Sequence, residues 1–162
     1  MIFLLETNTL IYVVRRFKIT SPKSARQREQ LERAKRVTSS CRQRQEEGGL
    51  VGLSAITVAE LEYGARYSGN YEKEIAAVEK ILTPFMIYDF DAIGCAQDYG
   101  EIRYELEQAG LAIGAMDLLI AAHAKALGAT LITSDTTHFR RVKGLKHQNW
   151  ALQPEAPGSE SA

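Results

Sequence analysis

Short apolar runs at 2–5, 50–53, 85–90 and 130–133 are separated by segments whose apolar residues recur at helical spacing. Strands joined through helices cannot pair as hairpins. They pair in parallel, because each crossover returns the chain to the same edge of the sheet. The pattern predicts an α/β fold, a three-layer α/β/α sandwich with a central parallel sheet. Leu10, Ile11, Val13 and Val14 drive a helix beginning near Thr7 into the core. Residues 18–48 are polar, basic and helix-permissive, and end at Gly48-Gly49. Ser54 is placed to cap a helix over 56–67, and Asn70 opens another that stops before Pro84. Cys95, Tyr99, Ile102, Leu106 and Ala109 form one buried helical stripe, and 117–127 reads as a helix buried on most sides. A short fifth edge strand is expected near 148–151.

In such sheets ligands bind beyond the carboxyl ends of the strands. Glu6 directly follows the first run and Asp135 the fourth. Glu60 and Asp117 lie within or at the start of helices that can point at the same edge. Each of these acids stands beside an apolar run, where a lone carboxylate is rare because burying an unpaired charge is costly. One shared acidic pocket is therefore expected. Every acid also has a structural alternative. Glu6 can cap the first helix, Glu60 can lie on an exposed turn beside Glu62, and Asp117 can be an N-terminal cap. Asp135 can cap a short helix before Phe139.

Clustered carboxylates raise one another's pKa unless a cation compensates. Mg2+ and Mn2+ prefer oxygen ligands, and either can activate a water for in-line displacement at phosphorus. Four acids without a catalytic His, Cys or Ser beside them fit metal-dependent phosphodiester hydrolysis. Thr7, Asn8, Ser54, Thr133 and Ser134 are placed to hold the carboxylates or a phosphate.

The chain's 162 residues suffice for one domain with a real core, and its net charge of zero conceals an asymmetry. Between Arg15 and Glu47 there are 11 Lys or Arg against 4 Glu, a local net of +7. A basic stretch beside an acidic pocket suits an enzyme acting on a polyanion. The competing reading is a solvated helix face, since Glu29 and Glu32 pair with Arg33 and Arg36 at i,i+4. Residues 1–150 are expected to form the domain, with 18–48 a basic helical insertion in it and 151–162 a tail of disordered composition.

No apolar run approaches the ~20 residues of a membrane helix, and no signal-peptide pattern opens the chain. A cytoplasmic protein without membrane contact is expected, with Cys41 and Cys95 as reduced thiols. There is no P-loop and no GxGxxG after the first strand. His123, His138 and His147 match neither a zinc set nor a triad and read as ordinary histidines. Trp150 and the tyrosines read as packing residues.

The motifs Leu4-Leu5-Glu6-Thr7-Asn8-Thr9-Leu10, Ser54-Ala55-Ile56-Thr57-Val58-Ala59-Glu60-Leu61-Glu62-Tyr63-Gly64 and Leu131-Ile132-Thr133-Ser134-Asp135 resemble those of PIN-domain ribonucleases. Tyr99-Gly100-Glu101-Ile102-Arg103, the run from Ile113 through Asp117 to Ala124, Phe139-Arg140-Arg141-Val142, Gly144-Leu145 and Asn149-Trp150 extend the likeness over nearly residues 1–150. The whole is similar to VapC toxins of type II toxin–antitoxin pairs, nearest the subgroup that cleaves initiator tRNA in its anticodon loop. This resemblance implies a PIN-like fold, a Mg2+- or Mn2+-dependent endoribonuclease and a homodimer. It also implies a VapB-type antitoxin that occupies the active-site groove and alone contacts operator DNA.

Glu60, Asp117 and Asp135 fall on the family's second, third and fourth acidic positions. The first is nearly always Asp, and here it is Glu6. The extra methylene moves the oxygens by about a bond length, and metal sites tolerate only about 0.2 Å. The stretch from Arg15 to Gly48 is also longer than usual for the subgroup. The resulting expectation is that Glu6, Asp117 and Asp135 bind the metal, Glu60 completes the acidic set, and Arg15, Arg16, Lys18, Lys23 and Arg26 grip RNA. The alternative is a catalytically impaired PIN module that binds RNA and antitoxin without cutting.

Overall fold

The structure, a computed structural model, describes residues 1–152, the side chains of residues 15–18 excepted. β1 (Ile2–Leu5) leads into α1 (Thr7–Lys18) and α2 (Ala25–Glu46). β2 (Leu50–Ser54) leads into α3 (Ala55–Tyr67) and α4 (Tyr71–Leu82). β3 (Met86–Tyr88) is followed by α5 (Gly94–Gln108) and α6 (Ala115–Ala126), β4 (Thr130–Ile132) by α7 (Thr136–Phe139), and β5 (His147–Gln148) comes last. The sheet order is β3-β2-β1-β4-β5, and every neighbouring pair is parallel. The expected α/β/α sandwich is thus the observed architecture.

Side-chain alternation sorts the strands between two cores. Phe3, Leu5, Val51, Leu53 and Ile132 pack with Leu10 and Val13 of α1, Val37 and Cys41 of α2, Leu61 of α3 and Val78 and Ile81 of α4. Leu4 and Leu131 face the other way, onto Ile102 and Leu106 of α5, Leu118 and Ile120 of α6, and Phe139. Burial of both faces explains why β1 and β4 read as continuous apolar runs.

The basic segment is helical, as its composition predicted, but it is built into the sandwich. α2 buries Ala34, Val37 and Cys41, and packs along α1. Burial pushes the Cys41 thiol up to about 12, and both Cys41 and Cys95 are free. Trp150 is a packing residue, its ring tilted against Phe3 at 5.3 Å. Among the described residues no helix is long and apolar enough to cross a membrane.

Most expected element ends shift by a residue or two, and the larger differences lie at the sheet edges and the domain end. The third strand covers only Met86–Tyr88, because an edge strand has a ladder partner on one side alone. The fifth lies at His147–Gln148, since Asn149 turns the chain by accepting the Ala151 N–H at 2.9 Å. The core also runs one residue past the expected domain end, for Ala151 is 2% exposed. The rest of the tail, from 153 onward, lies outside the described residues.

Gly52 determines how closely β3 can approach β2. A Cβ there would sit 2.5 Å from the Met86 carbonyl oxygen and 2.5 Å from a Tyr88 ring carbon. Gly52→Ala is therefore expected to destabilise the fold by about 1–3 kcal/mol, the usual cost of overpacking. A urea titration checks it, and an unchanged midpoint would contradict the close approach.

Candidate active site

Glu6 leaves the end of β1 with its backbone N–H bonded to the Ile132 carbonyl at 2.9 Å, so β4 holds it in place. Its Oε1 accepts the Asn8 N–H at 2.9 Å, and Oε2 accepts the Thr133 hydroxyl at 3.3 Å. Only 3% exposed, with no Lys or Arg paired to it among the described residues, it has a carboxyl pushed up to about 7. Burial is the main cause, and the charges of Asp117 and Glu60 add to it. Capping of α1 through Asn8 is real, and coexists with a place in the acidic cluster.

The next residue reaches the second acid. The Thr7 hydroxyl donates to the Glu60 carboxylate, and shares a 3.3 Å hydrogen bond with the Thr57 hydroxyl. Glu60 is half-buried inside α3, which rules out the exposed-turn reading.

Asp117 occupies the first turn of α6, whose N-cap is Gly114, and no side chain caps that helix. Gly114 leaves room for it: a Cβ there would stand 3.4 Å from Oδ2. Burial and the charge of Asp135 hold the Asp117 carboxyl above the ordinary range, while His138 opposes them.

Asp135 does cap α7, its Oδ1 accepting the N–H groups of Thr137 at 3.1 Å and His138 at 3.2 Å. Its own N–H donates to the Thr133 hydroxyl at 3.0 Å. Thr133 thus couples Asp135 to Glu6, accepting from one and donating to the other.

Two histidines do more than the sequence reading allowed. The Nδ1 of His138 lies 2.7 Å from Asp135 Oδ2 and 3.9 Å from Asp117 Oδ2, close approaches that are not aligned hydrogen bonds. The signal was Asp135-x-x-His138 at a helix start, where one turn brings the imidazole over the capping carboxylate. His123 is fully buried, and its Nδ1 lies 2.8 Å from the Ser54 hydroxyl. Burial holds its pKa below the usual value, so it is neutral. Ser54 also accepts the Ile56 N–H at 3.0 Å, so its hydroxyl is engaged by Ile56 and by His123, the imidazole tautomer setting which of the latter pair donates. Ser54 therefore holds none of the four carboxylates. Instead it clamps α3, which carries Glu60, to α6, which carries Asp117. Ser134 is half-buried between Thr133 and Asp135, and Asn8 contributes through its backbone.

Among the described residues, no three His, Cys, Asp or Glu groups close into a ready-made metal cage. Electrostatic coupling nevertheless links Glu60 to Glu6, Glu6 to Asp117 and Asp117 to Asp135. An all-oxygen, anionic set without a Lys or Arg partner fits a hard divalent cation that keeps several waters and needs few carboxylates. Lys23 and Arg26 are exposed at the start of α2, with Arg26 beside a cavity shared with Tyr12 and Arg33. The side chains of Arg15, Arg16 and Lys18 lie outside the described residues.

The family described as PIN domain matches residues 3–145, the class that this parallel sheet with acids at its carboxyl edge defines. The chain is 32% identical over 149 residues to the tRNA(fMet)-specific endonuclease VapC of Shigella flexneri, covering 92% of this chain and 98% of that protein. Ribonuclease VapC2 of Rickettsia felis is 44% identical over 100 residues, 62% of this chain and 74% of that one. The solved VapBC2 of Rickettsia felis bound to a DNA fragment from their promoter superposes with a TM-score of 0.77 at 35% identity, over 93% of this chain and 99% of that one. This chain belongs to the PIN-domain family, as one of its VapC ribonucleases.

Proposed function

We propose that this chain is the toxin of a VapB–VapC pair, a metal-dependent endoribonuclease that cuts initiator tRNA in its anticodon loop. The observation that carries the reading is the convergence of Glu6, Glu60, Asp117 and Asp135 on one sheet edge with no Lys or Arg partner among the described residues, His138 being the one imidazole beside them. Glu6, Asp117 and Asp135 would hold Mg2+ or Mn2+. When bound, the ion lowers the pKa of a water and neutralises charge building at phosphorus. Glu60, anchored by Thr7, is placed to orient that water. Thr133 ties the Glu6 carboxylate to the Asp135 backbone. Lys23 just precedes, and Arg26 lies in the first turn of, the basic helix α2 assigned to the RNA backbone. The relatives' names support the tRNA target, and the VapBC neighbours support a VapB-type antitoxin that carries operator binding. A homodimer is the proposed assembly.

Glu6 also favours a second reading. A buried carboxyl with a pKa near 7 is half protonated at neutral pH, and a protonated ligand binds metal poorly. The protein would then bind RNA and antitoxin without cutting. Cleavage of initiator against elongator tRNA in Mn2+ decides between the two. The expected result is a cut in initiator tRNA that a chelator abolishes. Glu6→Asp should lower the Mn2+ needed by about tenfold, the scale on which ligand placement tunes metal affinity. Cutting by Glu6→Asp alone would establish the binding-only reading, and no cutting by either would refute the nuclease.

A further inference from the structure

Tyr63 and Tyr67 are 68% and 82% exposed, yet their rings are stacked on one another, with centroids 6.1 Å apart and planes inclined by 30°. Exposed aromatics ordinarily gain little from ordering. A stacked pair in solvent presents one continuous apolar face of a defined width. Both residues belong to α3, the helix that carries Glu60.

Helix geometry places them with respect to the acid. At about 100° per residue, Tyr63 and Tyr67 flank Glu60 on one side and Gly64 flanks it on the other. Gly64, Glu60 and Thr7 line an open groove with Ile11, Val14 and Val78. A Cβ at Gly64 would meet nothing within 4 Å, so nothing fills the space alongside the acid. Along the axis Tyr63 lies about 4.5 Å beyond Glu60 and Tyr67 about 10 Å beyond it. Those offsets suit a base next to a phosphate held at the acidic edge.

The pair's flank is tied down. Arg66 lies over the Tyr71 ring at 4.3 Å, its guanidinium reaches Glu62 at 2.9 Å, and the Tyr71 hydroxyl donates to the same carboxylate at 2.9 Å. Arg66 and Tyr71 therefore occupy each other and leave the Tyr63–Tyr67 face uncovered.

We propose that Tyr63 and Tyr67 form a stacking platform for an unpaired base beside the scissile phosphate, restricting cleavage to single-stranded or splayed-out RNA. Sequence-specific recognition of RNA relies on loops, whose unstacked bases lie on aromatic side chains. This inference rests on the ribonuclease reading. It adds to that reading the reason why a loop, and not a duplex, is cut.

The test uses the full chain and a short single-stranded oligoribonucleotide carrying 2-aminopurine, whose fluorescence falls when it stacks. Affinity is followed by anisotropy, and cleavage of an unlabelled loop RNA is followed in parallel. The wild-type chain should quench the probe. Tyr63→Ala and Tyr67→Ala should each weaken binding by about tenfold and lose the quench, at the usual worth of one stacked base. Tyr63→Phe and Tyr67→Phe should keep both, because stacking needs the ring and not the hydroxyl. Alanine variants that bind, quench and cut like the wild type would overturn the platform while leaving the nuclease intact. Alanine variants that lose only affinity for an antitoxin peptide would overturn it too, marking the pair as a protein contact. A wild-type chain that neither binds nor cuts RNA would remove both readings.

Discussion

Asp117→Asn is expected to reduce tRNA cleavage by about 100-fold or more while the protein keeps its fold. That is the scale of loss when one electrostatic group at the reacting centre is removed. The expectation rests on what the Asp117 carboxylate lacks. It caps no helix, and it is half-buried among like charges with only His138 opposing them. Asparagine has the same shape and fills the space that Gly114 leaves open. Removal of the negative charge also relieves repulsion from Asp135, so thermal stability without metal should hold or rise slightly. Circular-dichroism melting beside a cleavage assay separates the two effects. Residual cleavage above a few per cent would exclude Asp117 from the reacting centre. A collapsed melting curve would mean that the residue is structural.

Glu6→Gln should produce the largest pH effect on stability in metal-free protein. The folded pKa is about 7 against an ordinary value of 4.5, so the folded state binds the proton more tightly than the unfolded chain. For a carboxyl with a raised folded pKa, the stabilising contribution is complete below pH 4.5 and is lost as pH rises through 7. A shift of this size corresponds to roughly 3 kcal/mol between those limits, and Glu6 is too buried for solvent to screen much of it. Glutamine keeps an acceptor for the Asn8 N–H and carries no proton equilibrium. The variant should therefore exceed the wild type by about 1–3 kcal/mol at pH 8, with the gap closing below pH 5. Urea unfolding in chelator at both pH values measures it. Wild-type stability that does not fall between pH 5 and pH 8 would contradict the buried charge. Saturating Mn2+ should restore wild-type stability at pH 8, and should do little for the variant.

Much of the site was legible because parallel α/β topology makes position in the chain a guide to position in space. Glu6 after β1 and Asp135 after β4 had to reach the same edge, since β1 and β4 run side by side in parallel. Glu60 and Asp117 required one further assumption, about the direction of two helices. Thr7 and Thr133, expected to hold the carboxylates or a phosphate, do hydrogen-bond to Glu60 and Glu6, whereas Ser54 caps α3 as expected and bonds to His123 rather than to an acid of the set. Its actual partner, His123, lies 69 positions away, and no local pattern pairs a serine at a strand end with a histidine inside an apolar helix. His138 matches no zinc set or triad, and its place follows instead from helix geometry next to Asp135.

The tyrosines show the limit from the other side. A tyrosine in an amphipathic helix is usually a packing residue, and sequence spacing alone cannot tell a buried ring from a stacked, exposed one.

The amino-acid sequence alone determined the layer order, the acidic set and the family. Strand runs, helical periodicity and the carboxylates beside them are local features, and each carries its meaning within a few residues. The tertiary structure decided which groups touch: Thr7 with Glu60, Thr133 between Glu6 and Asp135, Ser54 with His123, His138 against Asp135, and Tyr63 on Tyr67. Thr7–Glu60, Thr133–Glu6 and Ser54–His123 join residues 53, 127 and 69 positions apart. Such contacts depend on the register of the sheet and the angle of each helix upon it, and packing of the whole chain sets both.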